Sequence, residues 1–215
     1  MNIILIGSPG SGKGTQSEII SKKYKLRNIS VGLLLKKVNF LEKNTLLRIK
    51  KNLDKGILID NKIVFDVLKK ELKKNSSKSI LLEGYPRTLE QAKMLKNIKI
   101  KFNCVIELKA KDETIKNRIL GRRVHTKSGR VYHIDFNPPK IKDKDDYTGE
   151  DLVVRKDDNI KTINYRIKRY LQESKKIKNF FSENNISYFI VDASEKIEVV
   201  SKKIEKIIDF YKNFI

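Results

Sequence analysis

The chain has 215 residues, of which 39% are hydrophobic, and this length suits one well-packed domain with smaller insertions. No apolar run reaches the roughly 20 residues that a membrane span needs, so we expect no membrane association. The first predicted strand begins almost at once, so we expect no leader peptide. The single cysteine, Cys104, excludes an internal disulfide and a zinc site built from cysteines. Because Cys104 lies in an apolar run, we expect a buried thiol in a reducing, cytoplasmic protein.

The formal net charge of +22 is high for a chain of this length. Such a charge would suit a nucleic acid or an anionic surface as partner. The lysines are nevertheless scattered along the whole chain, with no basic stripe and no aromatic residues interleaved with them. We therefore favour an ordinary solvated surface, expect no nucleic acid partner, and keep a polyanion site as the alternative.

The most informative motif lies in the first 24 residues. An apolar run over 3–6 is typical of a strand, and a helical pattern over 16–24 follows a glycine-rich loop. The loop reads Gly7-Ser8-Pro9-Gly10-Ser11-Gly12-Lys13-Gly14-Thr15. In this GxxxxGK pattern, backbone N–H groups and a helix N-terminus surround phosphate, and the lysine reaches the outer phosphates. Gly14 stands where a Ser or Thr usually binds magnesium, so that hydroxyl is either missing or supplied by Thr15.

Strands and helices alternate over much of the remaining chain. Short strands are predicted over 27–30, 79–83, 103–108 and 187–191. Helices are predicted over 33–40, 45–54, 61–74, 88–97, 112–121 and 162–184, with a closing helix to about Asn213. Ser30 and Thr88 are placed to cap helices, and Asn75-Ser76-Ser77 ends one. This alternation predicts an α/β fold with a parallel sheet covered on both faces.

Residues 122–158 break this alternation. They show no helical period, and they contain both histidines and two of the four prolines. A structureless insertion of this length is unusual inside a compact domain, so we predict a functional lid or a small subdomain. Because the chain has only 10 glycines and 4 prolines, we expect these residues to mark loops that need special backbone geometry.

Seven segments, in order along the chain, carry a resemblance to a known family. They are Gly7 to Gln16; Gly84-Tyr85-Pro86-Arg87 with Gln91; Gly121-Arg122-Arg123-Val124-His125; Ser128-Gly129-Arg130-Val131-Tyr132-His133; Phe136-Asn137-Pro138-Pro139-Lys140; Asp145-Asp146-Tyr147-Thr148-Gly149; and Arg155-Lys156-Asp157-Asp158 with Arg166. Over essentially its full length the chain resembles adenylate kinase in the form with a long lid.

The resemblance implies a three-layer αβα P-loop fold around a five-stranded parallel sheet. It divides the chain into a core (1–29, 60–120 and 159–215), an AMP-binding insert (30–59) and a lid (121–158). It also implies a monomer that transfers the terminal phosphoryl group of Mg-ATP directly to AMP, giving two ADP. The cofactor implied is Mg²⁺, and the partners are ATP, AMP and ADP.

The same resemblance assigns residues to roles. The positions that match its catalytic cations are Lys13, Arg87, Arg122, Arg155 and Arg166. Those that match its ATP site are Gly10, Ser11, Gly12, Lys13, Gly14, Thr15, Arg118, Arg122, Val131 and Tyr132, with Arg118 stacking on adenine. Those that match its AMP site are Val31, Lys36, Ile57, Leu58, Ile59, Gly84, Tyr85, Pro86, Arg87, Gln91, Arg155 and Arg166.

Metal sites follow from the same comparison. Glu83 stands where the family usually has an aspartate that orients water on magnesium, so we expect a role through water and no direct protein ligand. Some long-lid relatives hold the lid with a four-cysteine zinc site, whereas this lid has no cysteine. At the corresponding positions stand His125, Ser128, Asp145 and Thr148, which resemble the variant with a hydrogen-bonded network and no zinc. The other histidine, His133, is expected to pack or hydrogen-bond rather than act as a base.

The AMP insert departs from the family pattern. Val31 lacks a hydroxyl near the acceptor base, Leu33 lacks a carboxylate, and Lys36 replaces a forked arginine with a point charge. We expect weaker AMP binding as a result. Three alternatives stay open: a related kinase with another acceptor or with GTP as donor, a basic P-loop ATPase that binds nucleic acid, and a binding protein with decayed catalysis.

Overall fold

The computed structural model describes residues 1–74 and 79–212. The strands are β1 (Ile3–Gly7), β2 (Arg27–Ser30), β3 (Ile80–Glu83), β4 (Cys104–Lys109), β5 (Arg122–Val124), β6 (Val131–His133) and β7 (Ser187–Asp192). The helices are α1 (Lys13–Tyr24), α2 (Val31–Lys37), α3 (Lys43–Asp54), α4 (Asn61–Lys73), α5 (Leu89–Leu95), α6 (Asp112–Leu120), α7 (Ile160–Glu183) and α8 (Ile197–Lys212).

Five of these strands form one parallel sheet, in the order β2-β3-β1-β4-β7. The central strand, β1, aligns Ile3 with both Leu81 and Cys104, and all three side chains are buried. Strands that are covered on both faces read as continuous apolar runs, and this is why the sequence pattern located them. The predicted fold class, a five-stranded α/β sheet, is confirmed.

Two apolar cores lie on opposite faces of the sheet, because successive strand residues point to opposite sides. Ile4 and Ile6 of β1 join the core that is formed with α2, α3, α4, α5 and α7, whereas Ile3 and Leu5 join the core formed with α1 and α8. Cys104 belongs to the second core, and burial raises the pKa of its thiol to about 12. The expected buried thiol is therefore confirmed.

Most predicted elements are shifted by only one to three residues. One predicted helix cap differs: Ser30 occupies the N-cap of α2, but its side chain makes no capping hydrogen bond. Thr88 does cap α5, accepting the N–H of Gln91 at 3.1 Å. The expected break at 75–77 and the expected end at Asn213 lie outside the described residues.

The segment between α6 and α7 contains only short strands, as its lack of helical period predicts. Strands β5 and β6 pair antiparallel, and an isolated bridge joins Val124 to Val153. At its start, Gly121 lies against the His133 ring, where a Cβ would come within 2.3 Å of Nε2. Gly121 is thus required by close packing. Gly14 and Gly32, in contrast, lie in the first turns of α1 and α2, so not every glycine marks a loop.

Within residues 1–74 and 79–212, none of the helices combines the length and the apolar character needed to cross a membrane.

Candidate active site

The phosphate loop joins β1 to α1 at the carboxyl end of the sheet. Gly12, with φ +87°, is the N-cap of α1, so the helix begins at Lys13. The loop is anchored by the N–H of Ser8, which donates to the carbonyl of Leu108 in β4 at 3.3 Å. A Cβ on Gly10 would lie 2.8 Å from Ile119 Cγ1, so only glycine lets the loop sit this close to α6. The result is a helix N-terminus that opens onto a glycine-rich turn, which suits an anion.

Lys13 is half-buried inside this loop. Its Nζ donates to the carbonyls of Gly7 at 2.8 Å and Ser8 at 2.7 Å. Burial lowers the pKa of the ammonium group to about 7; the charge of Glu83 raises it, and nearby arginines lower it further. The site therefore holds a cation whose charged form is poorly stabilised by the protein alone.

Four arginines from different parts of the chain lie in the region of Lys13, three of them close enough for their charges to act on it. Arg122 comes from β5, Arg166 from α7, Arg87 from the turn after β3, and Arg155 from the segment before α7. The charges of Arg87, Arg122 and Arg166 each lower the pKa of Lys13, and that of Arg155 lowers the pKa of Arg166. The five predicted catalytic cations thus lie in one electrostatic cluster.

Two aspartates orient three of these arginines. Asp158 accepts both Nε (2.8 Å) and a terminal nitrogen of Arg122. Asp157 accepts Arg155 at 2.9 and 2.8 Å and also Arg166 at 2.7 Å. Both aspartates are buried, and the arginines hold the pKa of Asp157 below its usual range despite its burial. Sequence reasoning gave these aspartates no role, although an acidic pair two residues after Arg155 was a visible signal.

Arg87 is held by its own turn. Its Nε donates to the carbonyl of Gly84 at 2.9 Å, and its N–H donates to Gln91 Oε1 at 2.8 Å. Gln91 in turn donates to Asn61 Oδ1 at 2.9 Å, and the buried Tyr85 hydroxyl donates to the carbonyl of Gln91 at 3.1 Å. The Gln91 side chain, assigned to the AMP site, therefore supports the Arg87 turn in this structure.

The insert contributes Lys36 to the same region. Burial and the charge of Arg155 lower the pKa of Lys36, and Asp157 raises it. Val31 is buried in the main core, and Ile59 is buried with it, whereas Ile57 is exposed. The predicted AMP-site residues therefore divide into a polar group near the arginines and an apolar group at the ends of the insert.

The insert and the lid contact each other at two places. A Cβ on Gly129 would lie 3.1 Å from Leu33 Cδ2, and Lys156 Nζ lies 3.7 Å from a carboxylate oxygen of Asp54. An apolar contact and an ion pair therefore join the two segments. Sequence reasoning treated Leu33 only as a lost carboxylate and missed this contact.

Arg118 lies at the outer end of the site. Its guanidinium donates to the carbonyls of Ala193 at 2.6 Å and Glu195 at 3.1 Å, and it lies 5.9 Å from the centre of the Phe136 ring. Val131, also assigned to the ATP site, is exposed on β6. Arg118 and Phe136 thus form a cation–π contact, and Phe136 had been given no role.

The side chain of Tyr132, which the resemblance assigned to the ATP site, is buried inside the lid. Its hydroxyl donates to Asp145 Oδ1 at 3.0 Å and accepts the N–H of Asp146 at 3.0 Å. Neighbouring strand residues point to opposite faces, so Tyr132 faces inward where Val131 faces out. In this structure the Tyr132 side chain therefore belongs to the lid network, and its place in an ATP site stays a prediction.

The four predicted lid positions lie close together. His125 Nδ1 is 2.7 Å from Ser128 Oγ, and Asp145 accepts the hydroxyl of Thr148 at 2.9 Å. The network also includes Glu150, whose carboxylate is 2.6 Å from His125 Nε2. Arg130 donates to both oxygens of Asp145, at 2.8 and 2.6 Å, and this pairing holds the pKa of Asp145 well below its usual range. Glu150 and Arg130 were missed, because their partners lie 15 or more residues away.

His133, the second histidine, accepts the N–H groups of Asp135 and Phe136 at its Nδ1, at 3.0 and 3.1 Å. Its ring is buried between Gly121 and Phe136. It acts as a packing and hydrogen-bonding residue, as expected.

Comparison with known families agrees with this geometry. The family model described as adenylate kinase matches residues 5–186, which is most of the chain. The chain belongs to the adenylate kinase family. It is therefore a phosphotransferase of the nucleoside monophosphate kinase type.

Adenylate kinases work with magnesium. In this site Glu83 is the residue whose carboxylate can be compared with the ligands that this ion prefers. It ends β3 beside the phosphate loop, close enough for its charge to act on both Lys13 and Arg87. Within the described residues its carboxylate accepts no hydrogen bond from the protein, so its oxygens are available to water. No group of three or more His, Cys, Asp and Glu side chains in residues 1–74 and 79–212 could hold a metal ion. This donor set fits an ion that is held mainly by phosphate and water.

Proposed function

We propose that the protein is an adenylate kinase, which transfers the terminal phosphoryl group of Mg-ATP to AMP and forms two ADP. The observation that carries the proposal is the convergence of Lys13, Arg87, Arg122, Arg155 and Arg166 on the mouth of one phosphate loop. Two nucleotides that approach end to end repel each other through their phosphates. A cluster of oriented cations offsets that repulsion, and it is the main catalytic requirement of phosphoryl transfer.

In this proposal each part of the chain has a separate task. The phosphate loop and Lys13 bind the donor phosphates, and Arg87 and Lys36 bind the phosphate of AMP. The charge on the phosphoryl group during transfer is neutralised by Arg122, Arg155 and Arg166. Asp157 and Asp158 fix the orientation of these arginines. Bound magnesium would supply further charge neutralisation on the donor phosphates, with Glu83 orienting its water. No general base is needed, because the attacking AMP phosphate is already ionised.

Residues 30–59 and 121–158 form, in the same proposal, the AMP-binding insert and the lid. Their contact between Leu33 and Gly129 supports a closed arrangement that excludes water. Exclusion of water matters because water would otherwise accept the phosphoryl group and waste ATP. Transfer is direct, so a phosphorylated enzyme trapped during turnover would contradict the proposal.

The identity of the acceptor nucleotide is the part of this proposal that the site residues constrain least. The exposed Ile57 and the partly buried Leu58 offer an apolar surface for a base, but Val31 and Lys36 differ from the family pattern. These two positions favour, as a second candidate, a nucleoside monophosphate kinase with another acceptor. A kinase that uses GTP as donor would keep the same arginine cluster.

One panel of assays separates these functions. ADP formation is measured with ATP or GTP as donor and with AMP, GMP, CMP or UMP as acceptor, each with and without added RNA. We expect ATP with AMP to be the fastest pair, with no effect of RNA. Tight binding of a probe in which two adenosines are joined by five phosphates is expected too. A preference for another monophosphate would select the second candidate, and RNA-stimulated ATP hydrolysis without acceptor would contradict both.

A further inference from the structure

Helix α7 carries a half-buried polar stripe formed by Arg166, Tyr170 and Glu173. Their spacing of four and then three residues places them on one face of the helix, about 6 Å apart from Arg166 to Tyr170 along its axis. Of these three residues, Arg166 belongs to the arginine cluster and donates to Asp157. The other two members make long-range contacts that the proposed mechanism leaves unused.

Tyr170 bonds to a carboxylate inside the protein. Its hydroxyl donates to Oε1 of Glu107, whose exposed fraction is 1%. The other oxygen of Glu107 lies 3.6 Å from Lys109 Nζ. Burial and the hydrogen bond to Glu107 both raise the pKa of Tyr170, so the hydroxyl keeps its proton and remains a donor.

Glu107 lies in the strand that anchors the phosphate loop. In β4 it aligns with Ile6 of β1, one residue before Gly7. The next residue, Leu108, accepts the N–H of Ser8, and its carbonyl would lie 2.2 Å from a Cβ on Gly7. The Tyr170–Glu107 bond therefore joins α7 to β4 within one residue of the point where the phosphate loop is fastened.

Glu173 makes the second link of α7. Its carboxylate accepts the N–H of Leu89 at 2.9 Å, at the start of α5. Leu89 follows Thr88, the cap of that helix, and lies two residues after Arg87. One face of α7 therefore contacts the strand that anchors the phosphate loop and the segments that carry the acceptor arginine and Asp157.

A carboxylate buried between a sheet and a helix is not the choice that maximises stability. Removing the charge from water is costly, and apolar residues of similar volume often stabilise such a contact equally well or better. What the hydrogen bond adds is a fixed distance and direction between α7 and β4. Displacement of a catalytic group by about 1 Å can cost on the order of a hundredfold in rate, so this geometry has a direct value for Arg166.

We propose that Tyr170 is a positioning residue for phosphoryl transfer: through Glu107 it fixes α7 against β4 and so sets the Arg166 guanidinium relative to Lys13. This inference rests on the proposed function, in which Arg166 acts on the transferred group. It predicts that loss of the hydroxyl lowers kcat rather than nucleotide affinity, and that the loss acts through Arg166.

The test is a double-mutant cycle with Tyr170→Phe and Arg166→Lys, measured as kcat and KM for ATP and AMP. We expect Tyr170→Phe to lower kcat about tenfold with KM changed less than about threefold. In the Arg166→Lys background, Tyr170→Phe should lower kcat by less than twofold, because the residue it positions is already altered. Tyr24→Phe is the matched control, since Tyr24 also bonds a carboxylate, Asp209 at 2.7 Å, on α8. It should leave kcat unchanged.

A second pair of variants guards against a folding defect. Glu107→Gln keeps an oxygen that can accept the Tyr170 hydroxyl, so it should retain most of kcat, whereas Glu107→Leu should match Tyr170→Phe. Unchanged kcat in Tyr170→Phe, or equal loss in both Arg166 backgrounds, would overturn the positioning role. Equal losses in Glu107→Gln and Glu107→Leu would overturn it as well. If the wild type phosphorylates no monophosphate, the proposed function fails and this inference fails with it.

Discussion

The lid (121–158) and the insert (30–59) contact each other, but the two segments are stabilised by different interactions. Val31, Leu35, Ile49 and Ile59 of the insert belong to the main apolar core, so the insert folds as an extension of the sheet and its helices. The lid has few buried apolar side chains of its own, and its interior is built around His125 and Asp145. Apolar burial is tolerant of small displacements, whereas a hydrogen-bond network specifies one arrangement.

This difference explains where the chain departs from its family pattern. The insert could lose polar groups at Val31 and Leu33 because its fold does not depend on them. In the lid network each polar side chain is hydrogen-bonded to another, so the loss of one would leave its partner buried without a hydrogen bond. We therefore expect substitutions in the lid network to change its structure, and substitutions in the insert to change affinity alone.

The largest effect is expected at Asp157, where charges from both regions meet. Asp157→Asn removes the carboxylate that orients Arg155 and Arg166 and leaves their charges less compensated. We expect kcat to fall about a hundredfold, as for a misplaced catalytic group. Steady-state kinetics with ATP and AMP measure this. Asp143→Asn, which alters an exposed lid partner of Arg123, is the control and should lose less than about twofold.

The next largest effect is expected in the lid. Asp145→Asn removes the paired bonds to Arg130 and weakens those to Thr148 and Tyr132. Amide hydrogen exchange over 122–153 should accelerate at least about tenfold, while exchange in β1 and β4 stays as in the wild type. The neighbouring exposed residue offers the control Asp146→Asn. Acceleration throughout the sheet would show that the lid is not an independent unit and would break the comparison.

A smaller effect is expected in the insert. Lys36→Arg restores a planar fork beside Arg155 and Asp157 and should lower KM for AMP by roughly three- to tenfold through a charge-assisted bond to phosphate. Thermal stability should not change. Lys37→Arg on the exposed side of α2 is the matched control. An unchanged KM for AMP would place the acceptor phosphate elsewhere.

The smallest effect is a proton taken up on binding. Burial lowers the pKa of Lys13 from 10.5 to about 7, so between these values the folded protein holds fewer protons there than the unfolded chain. Phosphate favours the ammonium form, so ATP binding at about pH 8 should take up as much as about one proton. Calorimetric titration in buffers of different ionisation enthalpy measures this. Lys13→Met should abolish the uptake, and Lys37→Met should not.

Local patterns predicted much of this molecule. Apolar runs and the positions of the few glycines determine structure over only a few residues. They were sufficient to predict the strand, glycine-rich loop and helix at 3–24 and the parallel sheet. What escaped prediction depends on distance in sequence. Arg122 pairs with Asp158 at a separation of 36 residues, and Tyr170 pairs with Glu107 at a separation of 63 residues. No local sequence pattern predicts either pair. The orientation of Tyr132 was missed because a three-residue strand is too short to show its alternation.

The contact between Leu33 and Gly129 has a consequence for the exit of products. It is a touch between hydrocarbon and backbone, so neither salt nor pH alters it directly. In the proposed function, departure of a nucleotide separates those two surfaces, against a small, short-range attraction that vanishes within an ångström or two. The Leu33 contact is therefore lost over a shorter distance than the Lys156–Asp54 ion pair, which joins the same two segments and which salt weakens.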